Sequence, residues 1–230
     1  TKRIARQLEG LQAIRSWVGS DDTIPTDFWR GYPAADRSRW TEAVGQASIE
    51  AALAAHHSDL TLYSDDGLLK QLVHHELQVA STSTQALVWH MCRDGLLSDA
   101  QRDEYTLRLA LLGYRDLVVP TGTLVLAAEE SGPRGGTPFS DVARLLRSPH
   151  TSATLARKAV LGFLVTHYRG VLPYDPRCLI EELVTHLASR PEPDALARLL
   201  GEIQRCPALR SHDRTHVVAT IEAWRRTQVH

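Results

Sequence analysis

Apolar residues recur at helical spacing from the start of the chain. Ile4, Leu8, Leu11, Ile14 and Val18 predict an amphipathic helix over residues 2–18. A stretch rich in Asp, Pro and Gly follows over 19–37 and reads as a loop. Phe28, Trp29 and Tyr32 lie in it, and such large apolar rings are expected to anchor it to a core. Residues 39–57 are Ala-rich and predict a second helix. Its small residues, Ala43, Ala47, Ala51, Ala54 and Ala55, would let it pack closely on a sheet.

The period then changes. DLTLYS at 59–64 predicts a short strand, Asp65-Asp66-Gly67 a turn, and 68–77 a helix. Residues 78–81 predict a second strand running into STST. The helix over 84–93 is stopped by Asp94 and Gly95. Ser98 caps another helix that ends at Gly113, and Leu117, Val118 and Val119 form the body of a third strand over 115–120. Strands alternating with helices point to βαβ units and a parallel sheet.

EESGPRGGTP at 129–138 is the clearest break in the chain. Beyond it the pattern is helical only, over 140–147, 152–168, 176–189, 194–204 and 212–227. Pro149, Pro173, Pro191 and Pro207 punctuate these segments, without a fixed repeat period. The expected organisation is an N-terminal helix and loop (1–38), an α/β segment (39–131) and a helical C-terminal domain (139–230). The fold class is therefore α/β with a small parallel sheet, followed by an all-helical domain.

Composition narrows the function classes. The 26 basic and 27 acidic residues nearly cancel, which excludes a globally basic nucleic-acid coat but leaves room for a local patch. No apolar run reaches the roughly 18 residues of a membrane span. Cys92, Cys178 and Cys206 are scattered and odd in number, as in the reducing cytoplasm rather than in a disulfide framework. The chain opens at Thr1, without Met and inside a helical pattern. It is expected to be a fragment of something longer, or a processed or trimmed chain.

The main candidate chemistry lies at Asp65 and Asp66. In parallel α/β sheets, sites form beyond the carboxyl ends of the strands, and the first strand ends here. Carboxylates at that place suit Mg²⁺ or Mn²⁺, which activates water and neutralises a phosphodiester. The same Asp-Asp-Gly is also an ordinary turn and helix N-cap.

Residues 45–119 resemble the second half of a PIN-like domain. The words that carry the resemblance are GQASIEAALAAHHSDLTLYSDDGLLKQL and VASTSTQALVWHMCRDGLLSDAQRDEYTLRLALLGYRDLVV. The resemblance implies a metal-dependent endoribonuclease, or part of one, hydrolysing RNA with Mg²⁺ or Mn²⁺. It implies Asp65 as the strand-end metal ligand, with Asp66 assisting it or capping the helix. Gln46 stands where such domains usually carry an acid. Glu50, one helical turn on and on the same face, is the substitute. The family's first metal-binding Asp ends an N-terminal strand, and no such strand is legible here. Asp21 and Asp22 lie in the loop-like SDDTIPT. The alternative is a catalytically degenerate PIN-like module, acting as a protein-interaction part of a larger bacterial multidomain protein. Its partner would be another protein or the upstream part of the same polypeptide.

Other motifs read more plainly. His212, Asp213 and His216 spell HDRTH, with two His at zinc-ligand spacing, and His186 or Glu222 would have to serve as third ligand. The plainer reading is a polar helix start. His56–His57 and His74–His75 are adjacent pairs whose rings diverge on a helix, although His57 and His74 could flank Asp65. GPRGGT at 132–137 lacks the Lys-Ser/Thr of a phosphate loop and reads as an inter-domain connection. The C-terminal arginines, Arg205, Arg210, Arg214, Arg225 and Arg226, are interspersed with acids and read as a solvated face.

Overall fold

A computed structural model describes residues 31–148, 151–172, 175–192 and 194–228. The helix expected over 2–18, Phe28, Trp29, Asp21 and Asp22 lie outside the described residues. The chain divides into two compact units, Thr1–Thr82 and Ser83–His230.

In the first unit, α1 (Ala34–Val44) and α2 (Gln46–His57) replace the single helix expected over 39–57. Gly45 separates them with φ +84°, a left-handed conformation that glycine adopts without steric cost. β1 (Leu62–Tyr63) leads to α3 (Gly67–Leu72), which widens into a π turn over Val73–Leu77. Gln78, at φ +56°, then turns the chain toward β2 (Ser81–Thr82). The strands pair in parallel, with Leu62 opposite Ser81 and Tyr63 opposite Thr82. The sheet is thus small and parallel as expected. Ile49, Ala52 and Leu53 of α2 are buried with Trp40, Leu62, Leu69, Val73 and Val79. Tyr32 meets Trp40 edge-on with ring centroids 5.4 Å apart, so one of the three loop aromatics does anchor its segment.

The second unit is helical: α4 (Thr84–Arg93), α5 (Asp99–Leu111), α6 (Thr121–Ser131), α7 (Phe139–Leu145), α8 (Ala153–Thr166), α9 (Arg177–Ala188), α10 (Ala195–Arg205) and α11 (Ser211–Thr227). A π turn over His167–Val171 continues α8. The Ser98 cap expected for α5 is present, and α4 is capped as well. Ser83 accepts from the Ala86 amide, and Ser98 and Gln101 make a reciprocal capping box.

Three expectations change here. Residues 115–120 are not a strand. Leu117 and Val119 are buried like alternate strand residues, but side chains supply the backbone partners. The Gln85 amide donates to the Val118 carbonyl at 2.7 Å and accepts from the Val118 amide at 2.9 Å. Thr151 donates to the Leu117 carbonyl at 3.1 Å. Second, α6 was not anticipated, yet Thr123, Leu124, Val125, Ala127 and Ala128 are all buried in the core of this unit. Third, the loop over 129–138 lies inside the second unit, between α6 and α7 that pack on each other, and the division falls at Thr82/Ser83.

Close approaches fix α6. A Cβ built on Gly122 would stand 1.8 Å from Asp103 Oδ2, and one on Gly162 would stand 2.2 Å from Thr121 Oγ1. Only glycine lets α5 and α8 come so near the first turn of α6. Beneath α7, the buried Arg190 side chain donates to the carbonyls of Leu146, Ser148 (3.1 Å) and Thr151 (2.6 Å), and pairs with Glu192 at 3.0 Å.

Candidate functional site

The end of β1 carries the acidic pair. Ser64 donates its amide to the Thr82 carbonyl at 2.9 Å, which continues the parallel ladder to the edge of the turn. Asp66 is the N-cap of α3. Its Oδ1 accepts from the Leu69 amide at 3.0 Å, and its own amide donates to Ser64 Oγ at 3.1 Å. The turn-and-cap reading of this residue is therefore present in the geometry. Asp65 is half-buried, and the Tyr63 hydroxyl donates to its Oδ2 at 3.5 Å. Glu50 is half-buried on α2. It accepts from the Gln46 amide at 2.7 Å, which places the two on one helix face as their spacing implies.

Among the described residues, no three or more His, Cys, Asp or Glu side chains gather where they could hold a metal ion. Asp65, Asp66 and Glu50 do not by themselves compose a three-donor centre. Asp66 has already committed one oxygen to the N–H groups of α3. The described donors thus supply at most part of a Mg²⁺ or Mn²⁺ site, whose six oxygens would be completed by water, substrate phosphate and further carboxylates.

The histidine motifs form no centre either. His56, His57, His74 and His75 are exposed. His212 pairs with Asp213 at 2.9 Å, and Asp213 accepts from the Arg210 amide at 3.2 Å as a helix-start contact. His216 Nδ1 meets the Tyr168 hydroxyl at 2.6 Å. Burial raises the Tyr168 phenol to about 12, helped by the fields of Asp213 and Asp175. The Tyr168 hydroxyl therefore keeps its proton at neutral pH. His186, on α9, is half-buried. Burial, Arg147 and Arg144 push its pKa down.

The C-terminal arginines mostly serve their own helices. Arg205 and Arg214 donate to the Gly201 and Cys206 carbonyls, each at 3.0 Å, and Arg225 pairs with Glu222 at 3.4 Å. A different basic group went unread in the sequence. Arg115, Arg144 and Arg147 line one cleft of the helical unit. The signal for it was the R-x-x-R spacing of 144 and 147, which puts both on one helix face.

Residues 1–75 match a family described as a PIN domain associated with the TPR-GreAB-C-PIN system. The match takes in Glu50, Asp65 and Asp66. It corrects the placement read from the sequence: the PIN-like region lies at the N-terminal end, from residue 1, and the match stops well short of Val119. No curated protein and no solved structure matches the chain. The chain carries a PIN-like module at its N-terminal end, followed along the sequence by a helical unit. Among the described residues, no helix is long and apolar enough to cross a membrane.

Proposed function

We propose that the N-terminal unit is part of a PIN-type metal-dependent ribonuclease centre, to which it contributes Asp65. The observation that carries this reading is the position of Asp65 just past the carboxyl end of β1, a strand inside the PIN-type match that pairs in parallel with β2. Glu50 is the second candidate donor. The rest of the donor set would come from residues outside those described, or from a partner. The bound ion would supply an activated water and a counter-charge for the phosphate. The cytoplasm, which keeps three unpaired thiols reduced, is the compartment this reading requires.

A second reading is favoured by a specific observation. Asp66 acts as a helix cap, and the described carboxylates gather no three-donor group. A PIN-type fold without a working centre would serve as an interaction module of a larger multidomain protein. The family description, with its association to a TPR-containing system, is compatible with either role.

Calorimetric titration of Mn²⁺ into the wild type and Asp65→Ala separates the two. Binding that the substitution abolishes supports the ribonuclease centre and leads on to RNA-cleavage assays. Equal binding by both proteins removes Asp65 from the ligand set. No binding by the wild type turns the search to protein partners.

A further inference from the structure

The helical unit contains a cleft of about 630 Å³ between the end of α5, the turn over 113–116, and α7 with its following turn. Small-molecule sites span roughly 300–1,000 Å³, so this one is far larger than a bare phosphate needs. Leu111, Tyr114 and Leu145 give it apolar surface, and Arg115, Arg144 and Arg147 give it charge. α7 buries Val142, Ala143, Leu145 and Leu146, which leaves Arg144 and Arg147 together on its exposed side.

The acids in the cleft do not cancel this charge. Asp116 and Asp141 face three guanidinium groups, leaving one net positive charge. Asp141 pairs with Arg144 at 3.2 Å, but the Arg144 side chain is exposed and that of Asp141 half-buried, and such a single contact at the surface is weak enough to exchange for a stronger anion. The field of Arg147 and Arg144 reaches α9, where it adds to burial in lowering the pKa of His186.

We propose that this cleft binds a terminal nucleoside phosphate, with the phosphate on the three arginines and the nucleoside against Tyr114 and Leu111. Guanidinium forks match phosphate oxygens in paired hydrogen bonds, which favours a phosphate over a halide or a lone carboxylate. The apolar wall and the volume favour a ligand with a planar ring. A local concavity on a chain of near-zero net charge suits a terminal phosphate better than a track for a nucleic-acid backbone. The phosphate could belong to a free nucleotide or to the end of an RNA strand. The proposal stands apart from the ribonuclease reading, because its cleft lies wholly in the second unit.

The test is calorimetry on the full chain with AMP, adenosine, a 5′-phosphorylated tetra-adenylate and the same tetramer without its phosphate. AMP is expected to bind and adenosine to bind far more weakly. Arg144→Gln with Arg147→Gln, and separately Arg115→Gln, should each weaken AMP by about tenfold or more, since each removes charge-assisted hydrogen bonds. Arg198→Gln, whose partner Asp194 lies elsewhere on the surface, should leave AMP binding unchanged. Thermal melts check that the variants fold, and the exposed position of all three cleft arginines predicts that they do. The phosphorylated tetramer binding much more tightly than AMP would identify an RNA end as the source. Equal affinity would identify the free nucleotide. Failure of AMP and the phosphorylated tetramer to bind at millimolar concentration overturns the proposal. So does adenosine matching AMP, the bare tetramer matching its phosphorylated form, or binding that survives both sets of substitutions.

Discussion

Gln85 holds Val118 by both of its backbone polar groups. The side-chain amide takes the place of a neighbouring strand, donating at 2.7 Å and accepting at 2.9 Å. Gln85 is buried, whereas Val118 is half-buried. Gln85→Leu should therefore leave a half-buried N–H and C=O without their protein partner and cost about 1–3 kcal/mol. Urea unfolding measures this. An unchanged midpoint would mean that the segment over 115–120 finds other partners.

Gly122 faces Asp103 at a distance no side chain tolerates. Asp103 is buried and pairs with Arg102 at 2.9 Å, so it cannot swing away freely. Gly122→Ala should destabilise the helical unit by about 1–3 kcal/mol, the usual penalty for overpacking. Combined with Asp103→Ala, the loss should be smaller than the sum of the two single losses, because the clash is shared. Strict additivity would argue that the two residues do not press on each other.

Arg190 donates to the carbonyls of Leu146, Ser148 and Thr151, of which that of Ser148 also accepts from the Thr151 amide at 3.2 Å, and its side chain is fully buried. Arg190→Met keeps much of the volume and removes every donor. A loss of about 3 kcal/mol or more is expected from the unsatisfied carbonyls. Denaturant midpoints check the loss. Hydrogen exchange should also show faster opening near Thr151, and unchanged exchange there would contradict this role.

Stability should fall on mild acidification. Burial, with the field of His216, lowers the pKa of His167 against a smaller opposing pull from Asp175, and burial with Arg147 and Arg144 lowers that of His186. Both folded pKa values lie below the ordinary 6.5. As pH drops through 6.5, the unfolded chain takes up protons that the folded chain refuses, so folding loses free energy. The loss ends once pH is below the folded values. Urea midpoints at about pH 7.5 and about pH 5.5 should differ in that direction, and replacing both histidines by Gln should flatten the difference. A slope that persists in the double variant would place its origin in other groups.

Asp66 and Asp65 should separate by substitution. Asp66→Ala removes the α3 cap and should cost about 1 kcal/mol, whereas Asp66→Asn keeps a capping oxygen. Exchange protection of the Leu69 amide reports the cap. If Asp66→Asn preserves that protection yet abolishes Mn²⁺ binding, Asp66 is a ligand as well as a cap.

Local signals were legible in the residues. Ser83, Ser98 and Asp66 cap helices because short polar side chains before a periodic run can reach the open N–H groups of the first turn. The stop at Asp94-Gly95 and the parallel pairing of two short strands follow from equally local rules. Gly45 was harder to read. A lone glycine in an Ala-rich stretch does not by itself distinguish a tolerated helical residue from a break, and its φ of +84° shows the break. The segment at 115–120 misled for a related reason. Alternating burial specifies an extended chain, but not what supplies its hydrogen bonds.

The sequence by itself determined where helices start and stop, which faces are apolar, and that an Asp follows a short hydrophobic strand. These depend on side chains within a few residues of one another. Only the tertiary structure decided that Gln85 serves as the partner of Val118, that Gly122 and Gly162 admit α6 to the core, and that Arg115 joins Arg144 and Arg147 around one cleft. Each of these joins residues some 19 to 41 positions apart, and contact at that range depends on how whole helices pack. Local pattern specifies the pieces, while close packing of their buried faces selects which distant groups meet.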